Sequence, residues 1–279
     1  MVFGTPSRLI FGNDVGLASN LRTSGSLRRS RRSPATAASP ELSQLHEQGF
    51  VVLPAEVPGD AVARIQERYL ELIEDPACTA TPGTDVPEAS RYLVDPLGRL
   101  PGLADLLTPH VRDLISTYCD GGFKVLSVRA WRNHALDASW AGRDVYGNLW
   151  HNDEGALTGL RFFVPLGDSG PGGLQMHDIA ATRRVMRTGF FRRQLICGPA
   201  RRLAEDPTTI TTFTGGLGSA CLWNPQLTLH RAGTPAPGTH RDMIQFWIAP
   251  ARQALSDDWA SQMPPDTAVC GDQVLQQVT

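Results

Sequence analysis

The sequence predicts a mainly β protein of the α+β class: an antiparallel sandwich or barrel with helices packed on its outer face. Two observations carry this prediction. Helical periodicity is confined to the first half of the chain, whereas short runs rich in Val, Phe, Trp and Thr alternate with turn-forming clusters after Gly122. The 27 glycines and 21 prolines among 279 residues supply the turns that such a β region needs.

Size and charge indicate one soluble globular domain. A length of 279 residues lies near the upper end for a single domain, and 41% of the residues are apolar. The formal net charge of -2 argues against a nucleic-acid binder and against a polybasic membrane-surface protein. No apolar run is long enough to span a membrane.

Five scattered cysteines without CxxC spacing predict neither disulfides nor structural zinc, and they fit a cytoplasmic location.

The charge is distributed unevenly along the chain. Residues 1–40 carry a net charge of +5 and residues 179–204 carry +7, which leaves the remainder at -14. Residues 1–38 are rich in Arg and Ser and poor in apolar residues, so they are predicted to be a disordered leader before a single domain over residues 39–279. The leader lacks the apolar segment of a secretory signal.

Helices dominate the predicted elements before Gly122. Ser39, Pro40 and Glu41 have the residue types of an N-cap and a first helical turn, and Gly49 ends this helix. Apolar spacing predicts three further elements: a strand over residues 50–53, an amphipathic helix over residues 60–75, and a helix over residues 103–115 that is interrupted or restarted near Pro109.

Strands dominate the rest of the chain. Their β-branched and aromatic residues, bounded by Gly and Pro, are typical of strands with one buried face. Four tryptophans fall on them and are predicted to be core residues: Trp131, Trp150, Trp223 and Trp247. The predicted strands cover residues 124–131, 149–153, 160–166, 209–213, 219–223, 228–230 and 242–248.

A histidine and a carboxylate two residues apart form a candidate metal site. Because alternate side chains of a strand leave the same face, His151 and Asp153 can close on one ion. They supply two of the three ligands of a 2-His-1-carboxylate triad, which leaves open positions on Fe(II). A third ligand is available in His230, 77 residues on, or in His177, 24 residues on. A surface histidine beside an acid is the alternative, and His240 begins a second His-x-Asp sequence with no histidine after it.

An arginine follows His230 by eleven residues and opens an apolar run. Arg241, at the start of a strand, can grip a carboxylate through two parallel hydrogen bonds and stays charged when partly buried. A dicarboxylate co-substrate needs such a residue at the end remote from a metal. A solvated arginine or a structural ion pair is the alternative.

Together these motifs resemble those of a known family. The sequences WHND at residues 150–153 and LHRAGTPAPGTHRDMIQFW at residues 229–247 are similar to the phytanoyl-CoA dioxygenase family of Fe(II)/2-oxoglutarate-dependent oxygenases. Residues 42–53 resemble the family's opening helix, glycine turn and strand, and residues 170–173 its glycine-rich turn. The resemblance covers roughly residues 40–250. It implies a double-stranded β-helix, a cupin-like jelly roll, with the N-terminal helices outside.

The resemblance also implies an iron site, a 2-oxoglutarate pocket and the use of O2. Asp153 retains the metal carboxylate that related halogenases replace by a small residue, which favours oxygenation. The family's Pro-Gly-Ser-His sequence is replaced at residues 175–182, so the substrate class cannot be transferred and His177 is expected to be a pocket or loop residue. The implied residues are His151, Asp153 and His230 as catalytic iron ligands, Arg241 as the clamp on the distal carboxylate, and Asn133 and Phe163 as lining of the co-substrate pocket.

Substrate contacts are predicted from position alone. Trp140 and Tyr146 lie in a polar loop just before the metal motif and are candidates for a lid over the substrate. Arg183 and Arg187 belong to the basic stretch over residues 179–204, predicted to be a loop beside the active site that attracts an anionic or carrier-linked substrate. A solvated loop is the alternative.

The sequence therefore predicts a non-haem Fe(II)/2-oxoglutarate-dependent dioxygenase. It would hydroxylate a small molecule, or oxidise it by ring closure or desaturation, in the biosynthesis of a specialised metabolite such as an antibiotic. Oxidation of a sugar in an oligosaccharide or nucleotide-linked substrate is the alternative within this class. A non-oxidative jelly-roll metal protein, isomerase or hydrolase, or a binding module is the alternative from another class, and it has no need of Arg241 at its spacing.

Overall fold

The computed structural model describes residues 39–81, 87–140, 142–153, 159–189 and 198–264. The leader predicted at residues 1–38 lies outside these ranges, as do two of the five cysteines. The remaining three cysteines are buried free thiols. Within the described ranges, two antiparallel sheets and a set of helices account for the fold.

The N-terminal helix begins and ends where the sequence predicts. The hydroxyl of Ser39 accepts a hydrogen bond from the backbone N–H of Leu42 at 3.2 Å, and Gly49 ends the helix at a left-handed φ of 86°. Thr108 caps a later helix, so the pattern over residues 103–115 is a 3-10 turn followed by a separate helix. The helices are α1 (Pro40–Gln48), α2 (Gly59–Ile73), α3 (Pro96–Arg99) and α4 (Pro109–Cys119), with 3-10 turns at Pro87–Ala89 and Leu103–Leu106.

The larger sheet has seven antiparallel strands. They are β1 (Phe50–Leu53), β2 (Thr79–Ala80), β3 (Ser90–Leu93), β4 (Gly122–His134), β5 (Leu160–Pro165), β8 (Ala220–Trp223) and β10 (His240–Ala251). Their spatial order is β1-β8-β5-β10-β4-β3-β2. The long strands β4 and β10 pair from His134 opposite His240 to Gly122 opposite Ala251, with one register shift after Trp247.

The smaller sheet has three strands and faces the larger one. It consists of β6 (Leu174–His177), β7 (Ile210–Phe213) and β9 (His230–Ala232), in the order β7-β6-β9. The two sheets enclose one apolar cluster, to which the larger sheet contributes Phe50, Trp131, Phe163, Cys221, Trp223 and Met243 and the smaller sheet Leu174, Met176 and Phe213. This arrangement confirms the predicted jelly roll.

The other face of the larger sheet carries the main hydrophobic core. Residues of β10 alternate between the two sides, since Met243 faces the smaller sheet whereas Ile244 and Phe246 pack with the helices. Tyr69 of α2 and Val111 of α4 belong to the same outer core. The helices therefore lie outside the sheet pair, as predicted, and no described helix is long and apolar enough to cross a bilayer.

The strand predicted over residues 149–153 is wrong in extent. Only His151 pairs, in an isolated antiparallel bridge with His230. The chain leaves the ladder at once because the N–H of Asp153 bonds to the carbonyl of Pro225 at 3.0 Å instead. Side-chain alternation in a strand is therefore not the reason why the His-x-Asp residues converge.

The prediction of a loop over residues 179–204 is also wrong, because the described part of this stretch contains two helices. They form α5 (Ile179–Met186) and α6 (Gly198–Ala204). Asp178 caps α5 by accepting a hydrogen bond from the N–H of Ala181 at 2.6 Å. Both helices bury small or branched residues against Trp150 and Leu229, which stabilises them without a long apolar stripe.

Candidate metal centre

Backbone pairing places two histidines side by side. His151 and His230 exchange backbone hydrogen bonds in both directions, each with an N–O distance of 2.9 Å. Their ring centroids lie 4.2 Å apart. Gly147, at a φ of 79°, lets the preceding loop run against His151, since a Cβ there would lie 3.1 Å from Cε1 of that ring. Residues far apart in the chain thus become neighbours.

Hydrogen bonds decide which nitrogen each imidazole presents to the site. Nδ1 of His151 donates to the carbonyl of Leu149 at 2.7 Å. Nδ1 of His230 donates to the carbonyl of Thr228 at 3.0 Å. A carbonyl only accepts, so each proton sits on Nδ1 and each Nε2 offers a lone pair. Oδ1 of Asp153 lies 3.7 Å from Nε2 of the first histidine and 3.8 Å from Nε2 of the second.

The three side chains have the donor set and spacing of a mononuclear metal site. Their ligand atoms lie within 4.8 Å of one another, a spacing found in no other group of three such side chains among the described residues. Two imidazole nitrogens and one carboxylate oxygen are the donor set of a facial triad, which would suit Fe(II) and leave coordination positions open. The carbonyls on the far ring nitrogens orient the imidazoles, as they do in protein metal sites.

Arg241 is a buried cation without a carboxylate partner among the described residues. It is the second residue of β10 and is only 3% exposed. Its Nη1 donates to the carbonyl of Gly172 in the glycine-rich turn at 2.7 Å, whereas its Nε has no hydrogen-bond partner. Burial lowers the pKa of Arg241 to about 10, so the guanidinium is still charged at neutral pH. A carboxylate ligand would satisfy both the charge and the open donor.

Asn133, predicted to line the co-substrate pocket, and Tyr146, predicted to belong to a substrate lid, lie beside Arg241. Asn133 is opposite it in the pairing of β4 with β10, and the Nδ2 of this buried amide has no partner. Its Oδ1 accepts a hydrogen bond from the hydroxyl of Ser90 at 2.8 Å, which fixes the amide orientation. Tyr146 is close enough to raise the pKa of Arg241, and its hydroxyl donates to the carbonyl of His134 at 3.1 Å.

Phe163 lies between the sheets, near the histidines. Its ring meets Trp131 at a centroid distance of 5.7 Å and Trp223 at 5.5 Å, both edge to face. Trp223 in turn lies 4.3 Å from the ring of His230. Phe163 is therefore one aromatic ring removed from a candidate ligand, in a water-poor environment. The tryptophans are buried core residues, as the sequence indicates.

The other predicted substrate residues show no contact with the triad among the described residues. Trp140 packs under Arg143, whose Cζ lies 4.5 Å from the ring centroid, in a small cluster that also contains Tyr146. Arg183 and Arg187 are exposed on α5 and form no salt bridge with a described acid. Arg192 of the same basic stretch lies outside the described residues.

His177 is neither a loop residue nor a third ligand. It ends β6, is fully buried, and bonds through Nε2 to the carbonyl of Ala204 at 3.0 Å. Its ring packs on Trp150 at a centroid distance of 4.6 Å, on the α5–α6 side of the sheet. Burial lowers the pKa of His177, so the neutral form is favoured. The second His-x-Asp sequence, which begins at His240, has no second histidine in a metal-like group within the described ranges.

Sequence reasoning missed Arg161, which contacts the triad directly. Its Nη2 donates to Oδ2 of Asp153 at 3.0 Å. Alternation along β5 places it on the same side as Phe163, and this period-two signal could have identified it as an inward-facing charge. Its partner could not be read from the sequence, since Asp153 reaches it from a segment outside the ladder.

Comparisons with known proteins show the fold. No family model matches the chain, and no curated protein matches it. Among solved structures, the non-haem α-ketoglutarate-dependent carbocyclase SnoK from nogalamycin biosynthesis is 16% identical, with a TM-score of 0.53 over 85% of this chain and 95% of that one. The epimerase SnoN, in complex with Fe3+, α-ketoglutarate and nogalamycin RO, is 16% identical, with a TM-score of 0.53 over 84% of this chain and 95% of that one.

A third similar structure is EctD from S. alaskensis with 2-oxoglutarate and 5-hydroxyectoine. It is 17% identical, with a TM-score of 0.55 over 81% of this chain and 79% of that one. At such low identity, these likenesses establish a shared jelly-roll architecture and leave the chemistry to be argued from the residues of this chain.

Proposed function

We propose that the protein is a non-haem Fe(II)/2-oxoglutarate-dependent oxygenase of the phytanoyl-CoA dioxygenase type. One observation carries the proposal: a histidine–aspartate–histidine site lies in the same sheet pair as a buried, uncompensated arginine. A metal site alone would serve a hydrolase or an isomerase equally well. The buried guanidinium of Arg241 is what distinguishes them, because only a co-substrate with a second carboxylate needs it.

Separate groups of residues would bind the metal and the co-substrate. His151, Asp153 and His230 would hold iron, which when bound couples O2 reduction to decarboxylation of 2-oxoglutarate and to oxidation of a substrate C–H bond. Arg241 would bind the distal carboxylate through its open donor, and the amide of Asn133 would donate to the same ligand. Phe163 and Trp223 exclude water from the space beside His230.

Anaerobic spectroscopy tests the proposal. The protein with Fe(II) and 2-oxoglutarate is expected to develop the weak visible charge-transfer band of a chelated 2-oxo acid. His230→Ala should abolish the band, whereas His240→Ala is the matched control and should retain it, since His240 belongs to the second His-x-Asp sequence and lies outside the triad. Absence of a band in the wild-type protein would contradict the proposal and favour the non-oxidative metal protein or binding module.

We propose a small molecule of specialised metabolism, such as an antibiotic intermediate, as the substrate. SnoK and SnoN, which share the fold, come from nogalamycin biosynthesis, and this supports the choice of substrate class. Oxidation of a sugar moiety is the alternative. Mass spectrometry of candidate reactions separates the outcomes, because hydroxylation adds one oxygen whereas ring closure or desaturation removes two hydrogens.

Buried free thiols fit the proposed cytoplasmic location.

The exposed arginines of α5 and α6 support an anionic or carrier-linked substrate. Arg183 on α5, Arg187 just after it, and Arg201 and Arg202 on α6 are exposed. Both helices pack against Trp150, the neighbour of His151 in the chain. Uncompensated positive charge near a site raises the encounter rate of anions. The double variant Arg183→Glu, Arg187→Glu should raise the KM for the substrate, and this KM should depend less on ionic strength than that of the wild type. An unchanged KM would remove these residues from substrate capture.

A further inference from the structure

The two carboxylate oxygens of Asp153 have different surroundings, because Arg161 donates a hydrogen bond to one of them. Its Nη2 holds Oδ2 at 3.0 Å, while Oδ1 faces the Nε2 atoms of both histidines. The ion pair is largely shielded, with side chains only 11% and 17% exposed. One carboxylate oxygen is therefore directed at the metal position, and the other is engaged by a cation.

The guanidinium is held on its other side by an aromatic ring. Its Cζ lies 4.0 Å from the ring centroid of Trp247, which is opposite Arg161 in the pairing of β10 with β5 and is itself buried. A planar guanidinium can stack on a ring and still donate in its own plane, which an ammonium group cannot do. The β5–β10 ladder thus fixes the position of the donor before any ligand binds.

We propose that Arg161, held on Trp247, is a positioning residue that keeps Asp153 a one-oxygen metal ligand. This inference rests on the proposed iron site. Without the guanidinium, Oδ2 loses the donor that holds it away from the metal position, and the carboxylate can turn to present both oxygens to the metal. A second carboxylate oxygen would occupy a position that the facial triad otherwise leaves to the co-substrate and O2. The pair therefore controls both metal affinity and the access of 2-oxoglutarate.

Simple electrostatics makes the opposite prediction for metal binding. A guanidinium next to a ligand carboxylate repels a divalent cation, so its removal should tighten binding if charge were all that mattered. If Arg161 orients the carboxylate, its removal should weaken binding, because loss of a residue that orients a metal ligand typically costs about 10- to 100-fold in affinity. The sign of the change separates the two roles.

Anaerobic Co(II) titration of the full chain against a chromophoric chelator measures this sign. Arg161→Met is expected to weaken Co(II) binding by about 10- to 100-fold, and Arg161→Lys should recover part of the loss. Trp247→Leu should weaken binding in the same direction but less. Arg252→Met is the matched control, since it removes an exposed arginine just after β10 with the same change of charge, and it should bind Co(II) like the wild type.

A second readout follows 2-oxoglutarate. With Fe(II) saturating, the visible band of Arg161→Met should require more 2-oxoglutarate to reach half of its full intensity than that of Arg252→Met. Metal affinity that is equal to or tighter than that of the wild type in Arg161→Met would overturn the inference. Failure of the wild-type protein to bind Co(II) would instead count against the proposed function.

Folding is monitored separately. Far-UV circular dichroism and the Tm of the metal-free variants show whether the fold survives. If Arg161→Met does not fold, Arg161→Lys and Trp247→Leu carry the test, and wild-type Co(II) affinity in both of them would overturn the inference.

Discussion

At the scale of single residues, Arg241 is a buried charge that the proposed function would explain. A buried charge normally has a partner, because removing an ion from water costs several kcal/mol. Arg241 has one backbone acceptor and no carboxylate among the described residues. The fold therefore bears an unfavourable charge that a dicarboxylate would compensate on binding.

Arg241→Met should accordingly separate stability from binding. The metal-free variant is expected to unfold at a Tm equal to or above that of the wild type, because an uncompensated charge is replaced by an apolar side chain. Binding of 2-oxoglutarate should weaken by about 2–5 kcal/mol, the usual loss when one partner of a buried charge pair is truncated. Calorimetry and thermal unfolding measure the two effects.

The control for this prediction is a buried arginine that does have partners. Arg132 pairs through two nitrogens with Asp242, each at 2.7 Å. Arg132→Met leaves that carboxylate buried without its guanidinium partner, so its Tm should fall. A matching fall in Arg241→Met would indicate a structural role for Arg241 instead of a ligand clamp.

His177 should make stability depend on pH in a predictable direction. Burial lowers its pKa below the ordinary value of 6.5. Well above pH 6.5 the imidazole is neutral in both states; as the pH falls through 6.5, the unfolded chain takes up a proton that the folded chain does not accept until its lower pKa is reached. Stability is therefore lost on acidification across that window.

Urea unfolding at about pH 7.5 and about pH 5.5, which bracket the ordinary imidazole pKa, measures the effect. His177→Gln should lose less stability between the two values than the wild type does. His110→Gln is the control: the hydrogen bond to Glu56 raises the pKa of this exposed imidazole, so its removal should increase the loss of stability on acidification instead of reducing it. Identical pH dependence in His177→Gln and the wild type would contradict the assignment.

At the scale of elements, the β4–β10 pair is the frame on which both halves of the site depend. It carries Asn133 and Arg241 at one end and Trp247 further along, all facing the smaller sheet. On the opposite face Asp242 accepts from Arg132 and from the hydroxyl of Tyr69, at 3.1 Å, which ties α2 to the frame. A polar anchor thus lies directly behind Arg241.

Breaking this anchor should be costly. Asp242→Ala takes the buried carboxylate away from the hydroxyl of Tyr69 and from Arg132, which keeps its ion pair with the exposed Glu74. Breaking a buried pair costs up to about 3–5 kcal/mol of unfolding free energy. Asp60→Ala removes one partner of an exposed helical ion pair and should have no measurable effect. Urea denaturation compares the two, and similar midpoints for both would contradict the assigned role of Asp242.

Elements also show where reasoning from the sequence failed. The N-cap Ser39 located α1, and Pro109 located the start of α4, because both residues act on the neighbouring three or four residues. The short helices α5 and α6 were missed although Asp178 is an N-cap, because their stability comes from packing on Trp150 and Leu229. No pattern within a seven-residue segment such as Gly198–Ala204 encodes a distant packing partner.

At the scale of the whole molecule, ligands should stabilise the protein through linkage. A ligand that binds only the folded state at about 100 times its Kd adds about 2.7 kcal/mol. For a domain of this size, that corresponds to a rise in Tm of about 5–10 °C. Adding Fe(II) under anaerobic conditions, followed by 2-oxoglutarate, should raise the Tm in two steps.

The variants dissect these steps in one thermal-shift series. His230→Ala should lose both steps, because the metal site is incomplete without its imidazole. Arg241→Met should keep the metal step and lose the co-substrate step. A full 2-oxoglutarate step in Arg241→Met would place the co-substrate elsewhere.

The sequence by itself determined the class of fold and the identities of the triad residues. Turn residues, helix caps and strand patterns act over a few neighbouring residues, so they can be recognised in the sequence. The order of His151, Asp153, His230 and Arg241 can be matched to a family pattern without coordinates. Tertiary structure alone decided how these residues meet. The bridge between His151 and His230, the burial of Arg241 and the Arg161–Asp153 contact each join segments remote in sequence, because long-range packing, unlike local propensity, depends on every element of the fold at once.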